Sequence, residues 1–142
     1  MCRSIERDRE ITRCANGRCL RVTNPSRREI GIVQVDGCLI NDQSKRVDWL
    51  VELPEKKKLK DGLESIKLVE LKGSDVPYAY KQMEATMLHP NLSSCVHLID
   101  EGFIVSKQSP SMQASIQVAR MAFQTKFKIP VHVVNEAVID AG

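Results

Sequence analysis

Two carboxylates and one amine are spaced so that they could support metal-dependent hydrolysis. Glu70 and Lys72 lie two residues apart in the apolar segment IKLVELK, and Asp48 lies in the preceding apolar segment, RVDWLVEL. Magnesium and manganese prefer oxygen ligands, so Asp48 and Glu70 could hold Mg²⁺ or Mn²⁺. Lys72 could orient the attacking water and offset the charge that develops on a phosphate. These three residues predict phosphodiester hydrolysis.

The three polar residues need two neighbouring β-strands to bring them together. Residues two apart in a strand share a face, so Glu70 and Lys72 would leave the sheet on the same side. In an antiparallel pair, directly opposite residues also share a face, and the register that buries the alternating apolar residues turns Asp48 to the side of Glu70. Those apolar residues are Trp49, Val51, Val69 and Leu71.

The period of the apolar residues predicts an α/β fold, with a mixed sheet covered by helices. We expect strands over residues 29–36, 46–53 and 66–72, which short connections would join into an antiparallel meander. A helix should begin near Asp75, a plausible N-cap, and end near 89–91. The remaining expected elements are a helix over 2–16, a strand over 95–100, a long helix from Ser109–Pro110 to Phe127 and a strand over 131–134. The order α-β-β-β-α-β-α-β is assigned to a single domain, 1–142.

The sequence Val47-Asp48, followed by Val69-Glu70-Leu71-Lys72-Gly73 and a helix, resembles the PD-(D/E)xK (restriction endonuclease-like) nuclease superfamily. The resemblance covers roughly residues 1–105 and implies an αβββαβ nuclease-like core, with the C-terminal helix and strand as an extension. Valine at position 47 replaces the proline of the motif. The resemblance also implies metal dependence, action on nucleic acid and, as a family-level expectation, a homodimer.

The resemblance assigns a role to each matching residue. Asp48 and Glu70 become metal ligands together with the carbonyl of Leu71, and Lys72 becomes the catalytic lysine. Gln82 resembles a glutamine that some exonuclease branches place beside the site. Thr86 departs from that branch, which would have tyrosine there. An acidic ligand from the first helix would be Glu10 or Glu6.

Charge and cysteine content bear on partners and compartment. Lysine and arginine number 21 against 18 acidic residues, a net charge of +3 that does not by itself announce a nucleic-acid binder. Phosphate contacts are expected at the basic loop bearing Lys56, Lys57 and Lys58 and at Arg120 of the last helix. No apolar run approaches the roughly 20 residues that span a bilayer, which predicts no membrane partner and a cytoplasmic protein. Its five cysteines are then expected to be reduced.

Three interpretations remain open from the sequence. The first is a magnesium-dependent nuclease that acts on DNA or, as the second choice, RNA. The second is a nuclease-like fold that serves as a non-catalytic binding or assembly module, because a fold does not fix a function. The third is an unrelated α/β protein in which Asp48, Glu70 and Lys72 come together by accident. Substrate form, and endonuclease versus exonuclease action, stay undetermined.

Overall fold

The computed structural model describes residues 1–71, 75–106 and 114–142. Across these ranges it contains nine β-strands, two α-helices and three short 3-10 turns. The strands are β1 (Arg3–Glu6), β2 (Glu10–Ala15), β3 (Arg18–Thr23), β4 (Ile30–Gln34), β5 (Trp49–Pro54), β6 (Leu63–Leu71), β7 (Ile99–Val105), β8 (Val131–Val134) and β9 (Ala137–Asp140). The helices are α1 (Val76–Leu88) and α2 (Ala114–Phe127). The fold is of the mixed α+β class.

A six-stranded sheet in the order β1-β4-β5-β6-β7-β8 forms the framework. Strands β1, β4, β5 and β6 are each antiparallel to their neighbours, and the order β4–β5–β6 confirms the predicted meander. Strands β6, β7 and β8 are parallel, and α1 and α2 lie in the connections between them. Parallel neighbours need such long connections because the chain must return to the same end of the sheet. The second sheet has the order β2-β3-β9.

The large sheet is buried on both faces. Leu50, Leu68 and Ile104 pack on one side with residues of α1 and α2. On the other side Val51 and Val69 pack against the three-stranded sheet. The sequence prediction that Trp49, Val51, Val69 and Leu71 share one face is therefore confirmed, because all four belong to this second cluster. Glu70, next to Val69, must then point to the helical side.

The predicted helix over residues 2–16 is wrong, so the first helix of the αβββαβ pattern is not there. The chain forms β1 at the edge of the large sheet and then the hairpin β2–β3. Asn16 and Gly17 have φ values of 54° and 75°, the left-handed conformation that a tight hairpin turn requires. The alternation of buried Ile11, Leu20 and Val22 with polar neighbours has a period of two, which favours strands over a helix.

Two boundaries in the second half also differ from the prediction. The strand expected over 95–100 is Ile99–Val105, preceded by a 3-10 turn over Val96–Leu98. A central parallel strand needs a continuous apolar run, which Phe103-Ile104-Val105 supplies. The last helix is described from Ala114 to Phe127, and its expected start at Ser109–Pro110 lies outside the described residues.

The expectation of reduced cysteines is also wrong for four of the five. Cys2 is bonded to Cys38, and Cys14 to Cys19, whereas Cys95 is a free thiol. The first bond fastens the start of edge strand β1 to the turn that follows β4. The second joins directly opposite residues of the β2–β3 hairpin. Neither described helix has the length and apolar character needed to cross a membrane.

Candidate functional site

Asp48 and Glu70 meet where β6 ends and β5 begins. Trp49 pairs with Val69 and Leu50 with Leu68, so continuing this register by one residue sets Asp48 opposite Glu70. The Oδ2 atom of Asp48 accepts a hydrogen bond of 2.8 Å from the backbone N–H of Leu71. The Asp48 carboxylate is thus fixed against Leu71, the last residue of β6 and the neighbour of Glu70.

Glu70 lies on the helical side of the sheet and is only 2% exposed. Its strand neighbour on that face is Leu68, and it pairs across to Ile104 of β7. Moving a carboxylate from water to such surroundings is unfavourable unless nearby charges or donors compensate. Glu70 and Asp48 thus place two carboxylates at one end of the sheet.

Helix α1 fixes the chain just before Asp48 through two side chains. The Nε2 atom of Gln82 donates to the carbonyl of Arg46 at 3.0 Å. The hydroxyl of Thr86 accepts from the N–H of Val47 at 3.0 Å and donates to the carbonyl of Gln82 at 2.8 Å. Thr86 is fully buried. Thr86 therefore anchors the segment that leads into Asp48 and β5.

The side-chain oxygen of Gln82 is buried as well as its nitrogen. The side chain is 9% exposed, and its Oε1 atom accepts no hydrogen bond from the part of the chain that the structure describes. The helix that carries it begins as predicted, with the Asp75 side chain accepting from the N–H of Tyr78 at 3.0 Å. Gln82 is a buried residue and not a surface one, and it lies beside the segment that leads into Asp48.

An arginine that the sequence analysis did not single out stands two residues before Asp48. The Nε atom of Arg46 donates to Asp36 at 2.8 Å, and its Nη1 atom donates to the carbonyls of Asp42 and Ser44 at 2.7 and 3.0 Å. These bonds hold a guanidinium at the same end of the sheet as the two acids. The i, i+2 spacing from Asp48 was the available signal.

The loop next to Arg46 is fastened to the end of α1 by a histidine–aspartate pair. His89 Nε2 and Asp42 Oδ2 are 2.8 Å apart, and His89 Nδ1 accepts from the N–H of Asn91 at 3.1 Å. Because Nδ1 is an acceptor, the proton is assigned to Nε2, which donates to Asp42. This bond from His89, with further hydrogen bonds from Ser44, holds the pKa of Asp42 well below its usual range.

The carboxyl ends of the parallel strands meet at the same edge of the sheet as Asp48. Leu71 pairs with Val105, and the next residue, Ser106, is 1% exposed and donates its N–H to the carbonyl of Val134 at 2.9 Å. Ligands of open α/β sheets bind in the crevice beyond this end of the strands. Sequence reasoning missed Ser106 because it ended the strand at Asp100.

The other predicted site residues are not all at this edge. Lys72 lies outside the described residues. The basic loop with Lys56, Lys57 and Lys58 joins β5 to β6 at their other ends. Since β6 starts at Leu63, this loop is displaced by about 23 Å from Glu70 along the strand, at roughly 3.3 Å per residue.

Arg120, Glu6 and Glu10 also lie away from the sheet edge that carries Asp48 and Glu70. Arg120 lies on α2, and its Nε atom donates to the hydroxyl of Tyr80 at 3.4 Å. Glu6 lies in β1 and forms an ion pair with Arg13, while Glu10 is exposed in β2. The suggestion that Glu6 or Glu10 joins the metal ligands from a helix is therefore wrong.

The donors at this edge suit a hard cation. They are the carboxylates of Asp48 and Glu70, and Mg²⁺ is usually held by one or two carboxylates with water and substrate phosphate completing its shell. Within the described ranges, no group of three or more His, Cys, Asp or Glu side chains is arranged to hold a metal. Comparison with known proteins gave no match to a protein-family profile, a curated protein or a solved structure.

Proposed function

We propose that this chain is a metal-dependent phosphodiesterase, a nuclease that acts on DNA ahead of RNA. The observation that carries the proposal is the register of β5 and β6. In this register Asp48 lies opposite the buried Glu70, and its carboxylate accepts a hydrogen bond from the N–H of Leu71. Ligands of open α/β sheets bind at this edge of the sheet. The PD-(D/E)xK pattern and the helix that follows it support the same assignment.

The proposed chemistry divides between the ion and the chain. Bound Mg²⁺ or Mn²⁺ would supply a Lewis acid for the phosphoryl oxygen and lower the pKa of a coordinated water. Asp48 and Glu70 would hold the ion, with the Leu71 carbonyl as a third oxygen. Lys72 orients the attacking water and offsets charge on the phosphate. Gln82 keeps the segment that leads into Asp48 in place through the carbonyl of Arg46.

The proposal is tested by cleavage of a panel of nucleic acids with Mg²⁺, Mn²⁺ or EDTA. The panel contains plasmid, linear, single-stranded and branched DNA, and RNA. Glu70→Gln and Lys72→Ala are expected to abolish cleavage while the protein stays folded. Glu64→Gln is the matched control, because Glu64 is an exposed glutamate of the same strand. A wild type that cuts nothing, or Glu70→Gln and Lys72→Ala variants that cut like wild type, would refute the proposal.

A second candidate is a nuclease-like fold that binds a partner without turnover. It is favoured by the small net charge of +3 and by the lack of a three-ligand cluster among the described residues. Metal-dependent thermal stabilisation separates the two, because ligand binding to the folded state raises the melting temperature. The nuclease proposal requires stabilisation by Mn²⁺ that Asp48→Asn removes, whereas the module requires none.

The proposals of a cytoplasmic location and a homodimer rest on the sequence alone. Two disulfides weigh against the cytoplasm, because reducing compartments keep most thiols unpaired. The state of the cysteines in protein purified from its native source would decide the location. Sedimentation at several concentrations would decide the oligomeric state.

A further inference from the structure

We propose that a basic cleft at the far end of the large sheet binds the DNA backbone at a distance from the scissile phosphate. This inference rests on the proposed nuclease function and names the second contact that its substrate makes. The cleft has a volume of about 470 Å³. Its lining consists of Arg3, Ile5, Arg7, Glu29, Lys58, Leu59 and Lys60.

The charge of the cleft is only partly neutralised within the protein. Arg7 pairs with Glu29, and Arg3 pairs with Glu52 at 2.7 Å. Lys58 and Lys60 are exposed and form no ion pair with any residue that the structure describes. The hydrogen bonds from Arg7 and from the N–H of Leu59 lower the pKa of Glu29, and the charge of Lys58 contributes least. Of the four cations that line the cleft, Arg3 and Arg7 are therefore paired with carboxylates, and Lys58 and Lys60 supply the unneutralised charge.

The main chain that carries the lysines is held in place. The N–H of Glu29 donates to the carbonyl of Lys57 at 2.8 Å, and Glu29 Oε1 accepts from the N–H of Leu59 at 2.9 Å. Arg28 clamps the same loop, with its Nε atom donating to the carbonyl of Lys56 at 2.7 Å. A fixed backbone with exposed ammonium groups loses less conformational entropy on binding than a mobile tail would.

The chemistry of the cleft fits phosphates better than a protein surface. Protein interfaces are centred on buried aromatic or apolar anchors, and the only large exposed apolar side chain here is Ile5. Nucleic-acid affinity, by contrast, comes largely from lysine and arginine contacts to the backbone. The neighbouring Lys56 and Lys57 are exposed as well and extend the positive surface.

The basic cleft opens on the same side of the sheet as the two acids. Asp48, Leu50 and Glu52 alternate along β5 and its approach, so they share a face. Arg3 reaches Glu52 and therefore lies on that side. Arg3 lies level with Leu68, but the lysines of the cleft lie at the far end of the strands. Their displacement of about 23 Å from Glu70 corresponds to roughly seven base pairs at 3.4 Å each. A duplex that contacts both places must extend at least that far beyond the bond that is cut.

The test measures binding of a labelled 20-base-pair duplex in EDTA, between 50 and 200 mM salt. Removal of two phosphate contacts makes the slope of log K against log salt shallower by about 1.8. Between 50 and 200 mM salt, the affinity of Lys58→Ala/Lys60→Ala should therefore fall by a factor about 12-fold smaller than the affinity of wild type does. Lys81→Ala/Lys126→Ala removes the same charge from the helical layer and should keep the wild-type slope. Thermal unfolding must match for all three proteins.

Binding and cleavage are scored separately, so the two proposals can fail independently. Specific loss of the salt slope in Lys58→Ala/Lys60→Ala supports the cleft, even if wild type cuts nothing and the nuclease proposal falls. Cleavage and binding like wild type in that variant would overturn the cleft while leaving the nuclease intact. An equal loss in Lys81→Ala/Lys126→Ala, or no binding by wild type, also overturns it.

Discussion

Loss of the disulfide between Cys2 and Cys38 should destabilise the protein about twice as much as loss of the one between Cys14 and Cys19. The two bonds close loops of different length, with sequence separations of 36 and 5 residues. Chain-entropy theory converts these lengths into about 4 and about 2 kcal/mol of stability at 25 °C, because a cross-link restricts the unfolded chain more when the loop is longer.

Equilibrium unfolding in urea without reducing agent measures the difference. Paired serine variants, Cys2→Ser/Cys38→Ser and Cys14→Ser/Cys19→Ser, remove one bond each. With an m-value of about 2 kcal/mol/M, the midpoint should fall by about 2 M and about 1 M respectively. The control is Cys95→Ser, which removes a thiol but no cross-link.

Two results would refute this reasoning. If loss of the Cys14–Cys19 bond destabilises as much as loss of the Cys2–Cys38 bond, loop length does not govern the effect. A thiol titration of denatured wild type should find one free cysteine, Cys95. Five free thiols would show that the bonds do not form under the conditions used, and neither serine pair should then change the midpoint by these amounts.

Two further predictions concern individual hydrogen-bonding groups. Thr86→Val should lower the free energy of unfolding in urea by about 1–3 kcal/mol, since the buried N–H of Val47 loses its acceptor; no change would contradict this role. Burial lowers the pKa of Lys67, but hydrogen bonds to Asp100 and Glu101 outweigh it and leave that pKa raised. The contribution of Lys67 to the free energy of unfolding should therefore be complete below about pH 10.4, and it should disappear as the pH rises through the pKa of Lys67 in the folded protein. Melting curves from pH 8 to 12 should show this loss of stability for wild type and not for Lys67→Met.

The register of β5 against β6 could be predicted from the sequence, because it brings Trp49 and Val51 to the same face as Val69 and Leu71. A shift of one residue between β5 and β6 would have turned Trp49 and Val51 away from Val69 and Leu71. The register that buries them is the one observed, and Asp48 follows from it.

The N-terminal region was mispredicted because its elements depend on partners far along the chain. Strand β1 has little buried surface of its own and is held by pairing with β4. The Cys2–Cys38 bond depends on that pairing, so no local pattern could have shown it. Asn16-Gly17 was a usable signal, since this dipeptide favours a two-residue hairpin turn.

The position of the lysine loop was implied by the same hairpin that predicted the site. The loop between β5 and β6 joins the end of β5 to the start of β6. It therefore lies at the opposite end of the two strands from residues at the start of β5 and the end of β6. Asp48 and Glu70 meet there, so Lys56, Lys57 and Lys58 had to lie far from them. A net charge of +3 does not show that Asp48 and Glu70 lie at one end of the sheet and Lys56, Lys57 and Lys58 at the other. On the proposed function, a nucleic-acid substrate that contacts Asp48, Glu70 and the lysine loop together must extend over both ends of the sheet.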